Sequence, residues 1–112
     1  MYTSLSFPAR QVLQHVEETA DLLKLISHPH RLTILCLLSE REYNVTELVK
    51  TIGINQTAVS NHLSKLRNAG VVEYTRYHRV LQYRIVSPKI QALIDALSLL
   101  YPPQDTAFKQ HY

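Results

Sequence analysis

The feature that most restricts the fold lies at residues 44–68, where two short amphipathic segments with their own start and stop signals meet at a glycine turn. Asn44-Val45-Thr46-Glu47 has capping-box spacing. The Asn44 side chain can accept from the Glu47 backbone N–H while the Glu47 carboxylate reaches back to the N–H of Asn44. Leu48, Val49 and Ile52 follow at helical spacing, and Gly53 supplies a left-handed residue that ends a helix without a Cβ penalty. After Gly53-Ile54-Asn55 a second helix is expected over residues 56–68, capped by Asn55 and closed by Ala69-Gly70. Two short helices joined by so tight a turn form a helix-turn-helix unit.

The flanking segments complete the architecture. Residues 1–8 end in Phe7-Pro8 without periodicity and are expected to be a flexible arm. Val12, Val16, Leu22, Leu23 and Ile26 predict one amphipathic helix from about Ala9 to Ser27. Ser27-His28-Pro29 offers a capping hydroxyl and a first-turn proline for a helix from about Pro29 to Ser39, apolar nearly all round and so expected at the centre of the core. Beyond Gly70 the apolar period changes to two over residues 71–77 and 80–86, on either side of the polar pair His78-Arg79, which predicts a β-hairpin. Ile90, Leu93, Ile94, Leu97, Leu100 and Tyr101 mark a last helix stopped by Pro102-Pro103, and residues 102–112 are expected to be a flexible tail. The fold class is mainly α with a small β-hairpin, in the order α-α-α-α-β-β-α: a winged helix-turn-helix domain over residues 9–101. At 112 residues the chain has room for one such core.

Charge is concentrated where this reading places the helix 56–68 and the wing 71–86. Residues 1–54 carry five basic and six acidic side chains, whereas residues 55–84 carry five basic residues against Glu73 alone. In the helix 56–68, Val59, Leu63 and Leu66 share one face and should pack inward, leaving Gln56, Thr57, Ser60, Asn61 and Ser64 outward. Short polar side chains let a helix enter the major groove, where Gln and Asn can pair with adenine. His62 is a further candidate for base contact; Lys65 and Arg67, with Arg76, His78 and Arg79 at the hairpin tip, are candidates for phosphate contact. A solvated polar face and a charge-protected strand edge are the bland readings of the same residues. The joint occurrence of short helix, glycine turn and hairpin favours double-stranded DNA.

Three stretches carry a family likeness: Leu22 through Leu32, the run Ala58-Val59-Ser60-Asn61-His62-Leu63-Ser64-Lys65-Leu66-Arg67, and Gly70-Val71-Val72 with the arginine-bearing hairpin. In these the chain resembles the ArsR/SmtB family of bacterial winged-helix repressors, from about Val16 to Tyr101. The resemblance implies a homodimer joined through the first and last helices, with two recognition helices on an imperfect palindrome. Family members commonly respond to a metal or a thiol-reactive signal. His78 stands where the family often has glycine in the wing turn.

The ligands that the resemblance would bring are missing from their places. The start of the third helix reads Tyr43-Asn44-Val45-Thr46-Glu47 without a thiol, and between Pro88 and Tyr101 the last helix offers only Asp95. His15, His28 and His111 look scattered, so no metal site and no cofactor are expected. The nearest likeness is to the branch that senses persulfides and oxidants through two cysteines, but the second position falls at about Pro102. Cys36 alone cannot form an intrachain bridge. It is a candidate redox switch, by modification or by a bridge between subunits, against the alternative of an inert core thiol.

Apolar surface on the first and last helices exceeds what one subunit would bury, which also favours a dimer. Enzyme function is not expected: Ser60 and His62, two apart on a helix, point away from each other. There is no membrane-length apolar run and no secretory leader pattern, so a cytoplasmic protein is expected. The chain therefore reads as a DNA-binding transcriptional repressor. The alternatives are a winged-helix module that binds protein only, and a repressor switched through Cys36.

Overall fold

The computed structural model describes Ser4 and residues 6–103. The elements are α1 (Ala9–Gln14), α2 (Val16–Ile26), α3 (Pro29–Glu40), α4 (Val45–Ile52), α5 (Gln56–Asn68), β1 (Val72–Tyr77), β2 (Val80–Ile85) and α6 (Pro88–Ser98). The expected winged helix-turn-helix order is present, with one helix more than expected because the first is broken. Of the expected arm and tail, residues 1–3, 5 and 104–112 lie outside the described residues.

The break falls at His15, whose backbone (φ −124°, ψ 30°) leaves the helical region and whose N–H donates to the Val12 carbonyl at 3.0 Å. The apolar series skips from Val16 to Leu22, and α1 buries no residue. Little packing therefore holds α1 in line with α2, whereas α2 turns Leu22, Leu25 and Ile26 onto the core. The expected cap of α3 also moves. Pro29 excludes the preceding residue from the helical region, so His28 is extended (ψ 127°) and becomes the N-cap, its Nδ1 accepting from the His30 N–H at 3.1 Å. The Ser27 hydroxyl instead donates to the Lys24 carbonyl at 2.8 Å.

Helix α3 is the centre of the packing. It presses Ile34, Leu35 and Leu38 into a core completed by Leu48 of α4, Val59, Leu63 and Leu66 of α5, Val71 and Val72, and Ile90 and Ile94 of α6. Both halves of the capping box form: Glu47 N–H to Asn44 Oδ1 at 2.8 Å, and Asn44 N–H to Glu47 Oε1 at 2.9 Å. Gly53 closes α4 at φ 84°. An Asn44→Ala variant is expected to lose about 1 kcal/mol of stability in urea unfolding, because it orphans one of the first-turn donors. An unchanged midpoint would show that solvent satisfies that donor equally well.

Gly70 plays the matching part at the end of α5. With φ 75° it lets its own N–H reach the Arg67 carbonyl at 2.9 Å and the Val71 N–H reach the Leu66 carbonyl at 3.0 Å. These are the two bonds of a Schellman ending, which aims the chain into β1. The strands pair antiparallel from Val72 opposite Ile85 to Tyr77 opposite Val80. His78 and Arg79 are thus a two-residue loop, and His78 itself takes the left-handed conformation (φ 60°) that glycine would otherwise supply. A further bridge was not foreseen from the sequence: Tyr43 and Tyr83 exchange both backbone bonds, at 3.2 and 2.8 Å, fastening the hairpin to the segment that enters α4.

Helix α6 is capped by the Ser87 hydroxyl, which accepts from the Ile90 N–H at 3.2 Å. It lies on α3 and reaches α2 through Lys89, whose Nζ is 2.7 Å from Glu18 Oε2. Among the described residues no helix is long and apolar enough to cross a membrane.

Candidate nucleic-acid interface

Helix α5 is anchored by its inward stripe, so its outer face is set by elimination. Val59, Leu63 and Leu66 are wholly buried, while Gln56, Thr57, Asn61, Ser64 and Lys65 are exposed and Ser60 is half-buried. The Asn55 side chain accepts from the Ala58 N–H at 2.8 Å, which fixes the first turn and with it the placement of Gln56 and Thr57. The thirteen residues span roughly 20 Å, ample for one pass through a major groove. Side chains on this face can donate and accept hydrogen bonds, and none is acidic.

The basic residues divide into free and held. Arg76 and Arg79 are exposed with Tyr77 and His78 at the hairpin tip. Arg79 also borders a cleft with Asn44, Val45 and Thr46, at the amino end of α4, where the helix dipole adds positive potential. Arg67 has a different situation. Its Nε lies 3.1 Å from Glu73 Oε1 and its guanidinium sits 4.5 Å from the Tyr74 ring centre, so it clamps the end of α5 to β1. The bond to Glu73 raises its already high pKa. Arg84 is likewise engaged, donating to Thr75 Oγ1 at 2.6 Å.

His62 does not join the outward face. It is half-buried and turns toward the start of α3, where its ring centre is 4.5 Å from that of His28 and 5.9 Å from that of His30. One nitrogen from each of the three lies within 4.8 Å of the others, and His62 Nδ1 is buried without a hydrogen-bond partner among the described residues. Loss of hydration, then the charges of His28, Arg31, His30 and Lys65, holds the His62 pKa below the usual histidine range. Loss of hydration followed by Arg31, His30 and Lys65 does the same for His28.

This convergence was missed by sequence reasoning, which grouped His28 with His15 and His111. His15 sits at the break between α1 and α2, and His111 lies outside the described residues. The usable signal was the His28-x-His30 spacing at a helix start, together with a histidine in a helix expected to pack on α3.

The lowered pKa values carry a stability consequence. The unfolded chain takes up protons near pH 6.5 that the folded His28 and His62 refuse, so stability is fully present above that pH and declines as the pH falls below it. The thermal midpoint is expected to drop more steeply from about pH 7.5 to about pH 5 in the natural protein than in His62→Gln. Parallel profiles would show that other groups govern acid sensitivity.

Cys36 does not fit the core-thiol alternative. It is exposed, because the buried face of α3 is taken by Ile34, Leu35 and Leu38. It lines a groove between α3 and α6 with Leu32, Ser39, Ile94, Leu97, Leu100 and Tyr101. Partial desolvation there pushes its pKa up, which disfavours the reactive thiolate.

Comparison with known proteins agrees with this arrangement. Residues 28–74 match the sequence profile described as "Bacterial regulatory protein, arsR family". The chain is 39% identical over 92 residues to the biofilm growth-associated repressor of Xylella fastidiosa strain 9a5c, covering 82% of this chain and 81% of that protein. It is 35% identical over 94 residues to the HTH-type transcriptional regulator YgaV of Escherichia coli K12, covering 83% and 95%. Among solved structures, the transcriptional repressor BigR from Xylella fastidiosa superposes with a TM-score of 0.80 at 37% identity, covering 88% of this chain and all of that one.

Proposed function

The chain belongs to the arsR family of bacterial regulatory proteins, and from that membership we propose that it is a homodimeric repressor that binds an imperfect DNA palindrome through α5 and the wing. The observation that carries this reading is the outer face of α5. It is a capped helix, immovable on its buried stripe, that offers short amide and hydroxyl groups to a partner. Gln56, Thr57, Ser60 and Asn61 are the proposed base readers, with Ser64 beside them. Lys65, Arg76, His78 and Arg79 face phosphate, and Arg67 adds its charge from a fixed position while holding the wing to the recognition helix.

Dimerisation is supported by where exposed apolar side chains gather. Val12, Val16 and Leu23 on α1 and α2, and Leu99, Leu100 and Tyr101 after α6, are between 48% and 80% exposed. A lone subunit gains nothing from this, whereas a two-fold pairing of these helices would cover it and set two α5 helices on one duplex. The relatives named as repressors favour repression.

The test is a mobility-shift titration of duplex from the gene's own promoter against scrambled duplex at several salt concentrations. A repressor prefers the promoter fragment, with affinity falling steeply as salt rises. A module that docks on an acidic protein shows neither preference nor slope. Arg79→Ala is expected to weaken both duplexes alike and to flatten the log–log salt slope by about two, one phosphate contact for each subunit. An unchanged slope would remove Arg79 from the interface.

A further inference from the structure

We propose that His28, His30 and His62 form a binding site for a borderline divalent cation of the zinc type, one that ties the amino end of α3 to the flank of α5. The site stands on these two helices alone and does not depend on the DNA reading.

Three imidazole nitrogens within 4.8 Å of one another need only modest side-chain rotation to reach the roughly 3.4 Å spacing of nitrogens around a tetrahedral zinc ion. The elements holding them are fixed. His28 and His30 are set by the Pro29 turn, and His62 by the neighbouring buried Leu63. Among the described residues His62 Nδ1 has no other partner: a buried ring nitrogen is costly to leave unsatisfied, and a metal–ligand bond would use it.

The surroundings define which ion suits. Among the described residues no carboxylate joins the trio, so oxygen-seeking calcium and magnesium find no hard ligand, while the positive charges of Arg31 and Lys65 oppose any dication there and lower its affinity. Imidazole suits zinc, nickel and cobalt, and three histidines leave a coordination position open to solvent. Arg31 is turned partly aside, its Nε donating to the Leu25 carbonyl at 2.6 Å. His28 Nδ1 already accepts the α3 cap bond, so a metal bound through that nitrogen competes with the cap, whereas one bound through Nε2 leaves it in place.

That competition identifies the informative variant. Asparagine caps helices well, so His28→Asn keeps the start of α3 while removing a ligand. Tag-free full-length protein would be titrated with Zn²⁺ against a chromophoric chelator, and with Co²⁺ followed by its visible ligand-field absorption. One ion per subunit is expected, with the intense absorption of a four- or five-coordinate site. His28→Asn and His30→Gln should each weaken Zn²⁺ binding about a hundredfold with an unchanged far-UV spectrum, while His15→Gln should not alter it. Failure to take up one equivalent would overturn the site, as would uptake that persists in the variant lacking all three histidines. Neither result bears on operator binding, which is measured separately in chelator.

Discussion

Asn61→Ala is expected to weaken operator binding at least about thirtyfold while leaving random duplex nearly unaffected. Asn61 is exposed near the middle of α5, opposite the buried stripe of Val59, Leu63 and Leu66. Its side chain makes no hydrogen bond among the described residues, so trimming it disturbs nothing in the fold and alanine is the better helix former there. A bidentate amide contact to a base is worth about 1–3 kcal/mol, and a two-fold dimer makes it twice. Fluorescence anisotropy at one fixed ionic strength, with operator and scrambled duplex side by side, reads the ratio directly. Equal losses on both duplexes would mean that Asn61 contacts backbone and carries no sequence information.

The second large effect concerns the dimer. Leu23→Glu combined with Leu100→Glu is expected to yield a folded monomer whose operator affinity is more than about a hundredfold lower. Both side chains are already exposed in one subunit, at 48% and 65%, so a carboxylate at either place costs that subunit little. In a paired interface each would bury an uncompensated charge, at about 3 kcal/mol or more, and symmetry repeats it. Without pairing, each recognition helix binds its half-site alone and the additive advantage of two is lost. Sedimentation equilibrium separates the outcomes. A variant that stays dimeric would place the interface elsewhere on the chain.

Much of this molecule is legible in its sequence, for identifiable reasons. Asn44, Glu47, Gly53 and Asn55 act within one helical turn, so local chemistry alone sets the borders of α4 and α5, and every one of these caps is present. Val59, Leu63 and Leu66 are legible because α5 has one buried face. Helix α3 is apolar nearly all round, so its pattern could not say which side meets solvent, and Cys36 stays open in the sequence between a switch and a core thiol. The break at His15 carries no proline or glycine to announce it.

Long-range pairings escaped for a different reason. The single bridge between Tyr43 and Tyr83 joins residues forty apart and leaves no periodic trace. The meeting of His28, His30 and His62 depends on how α3 crosses α5, a tertiary fact that no spacing encodes. Arg67 is the intermediate case: its basic character was plain, but Glu73 and Tyr74 as its partners follow only from the turn at Gly70. Gln56, Thr57, Asn61 and Ser64 are exposed as their spacing implies, whereas Ser60 and His62 are half-buried on the border between the two faces.

The most direct measurement of the central claim is a hydroxyl-radical footprint of the protein on the duplex it prefers in its own promoter. A homodimer reading DNA through α5 should protect two half-sites on one face of the helix, one helical turn of about 10 base pairs apart or a multiple of it, related by approximate two-fold sequence symmetry, with two subunits bound. Protection that is uniform along the fragment, or a single unpaired site occupied by one subunit, would contradict it.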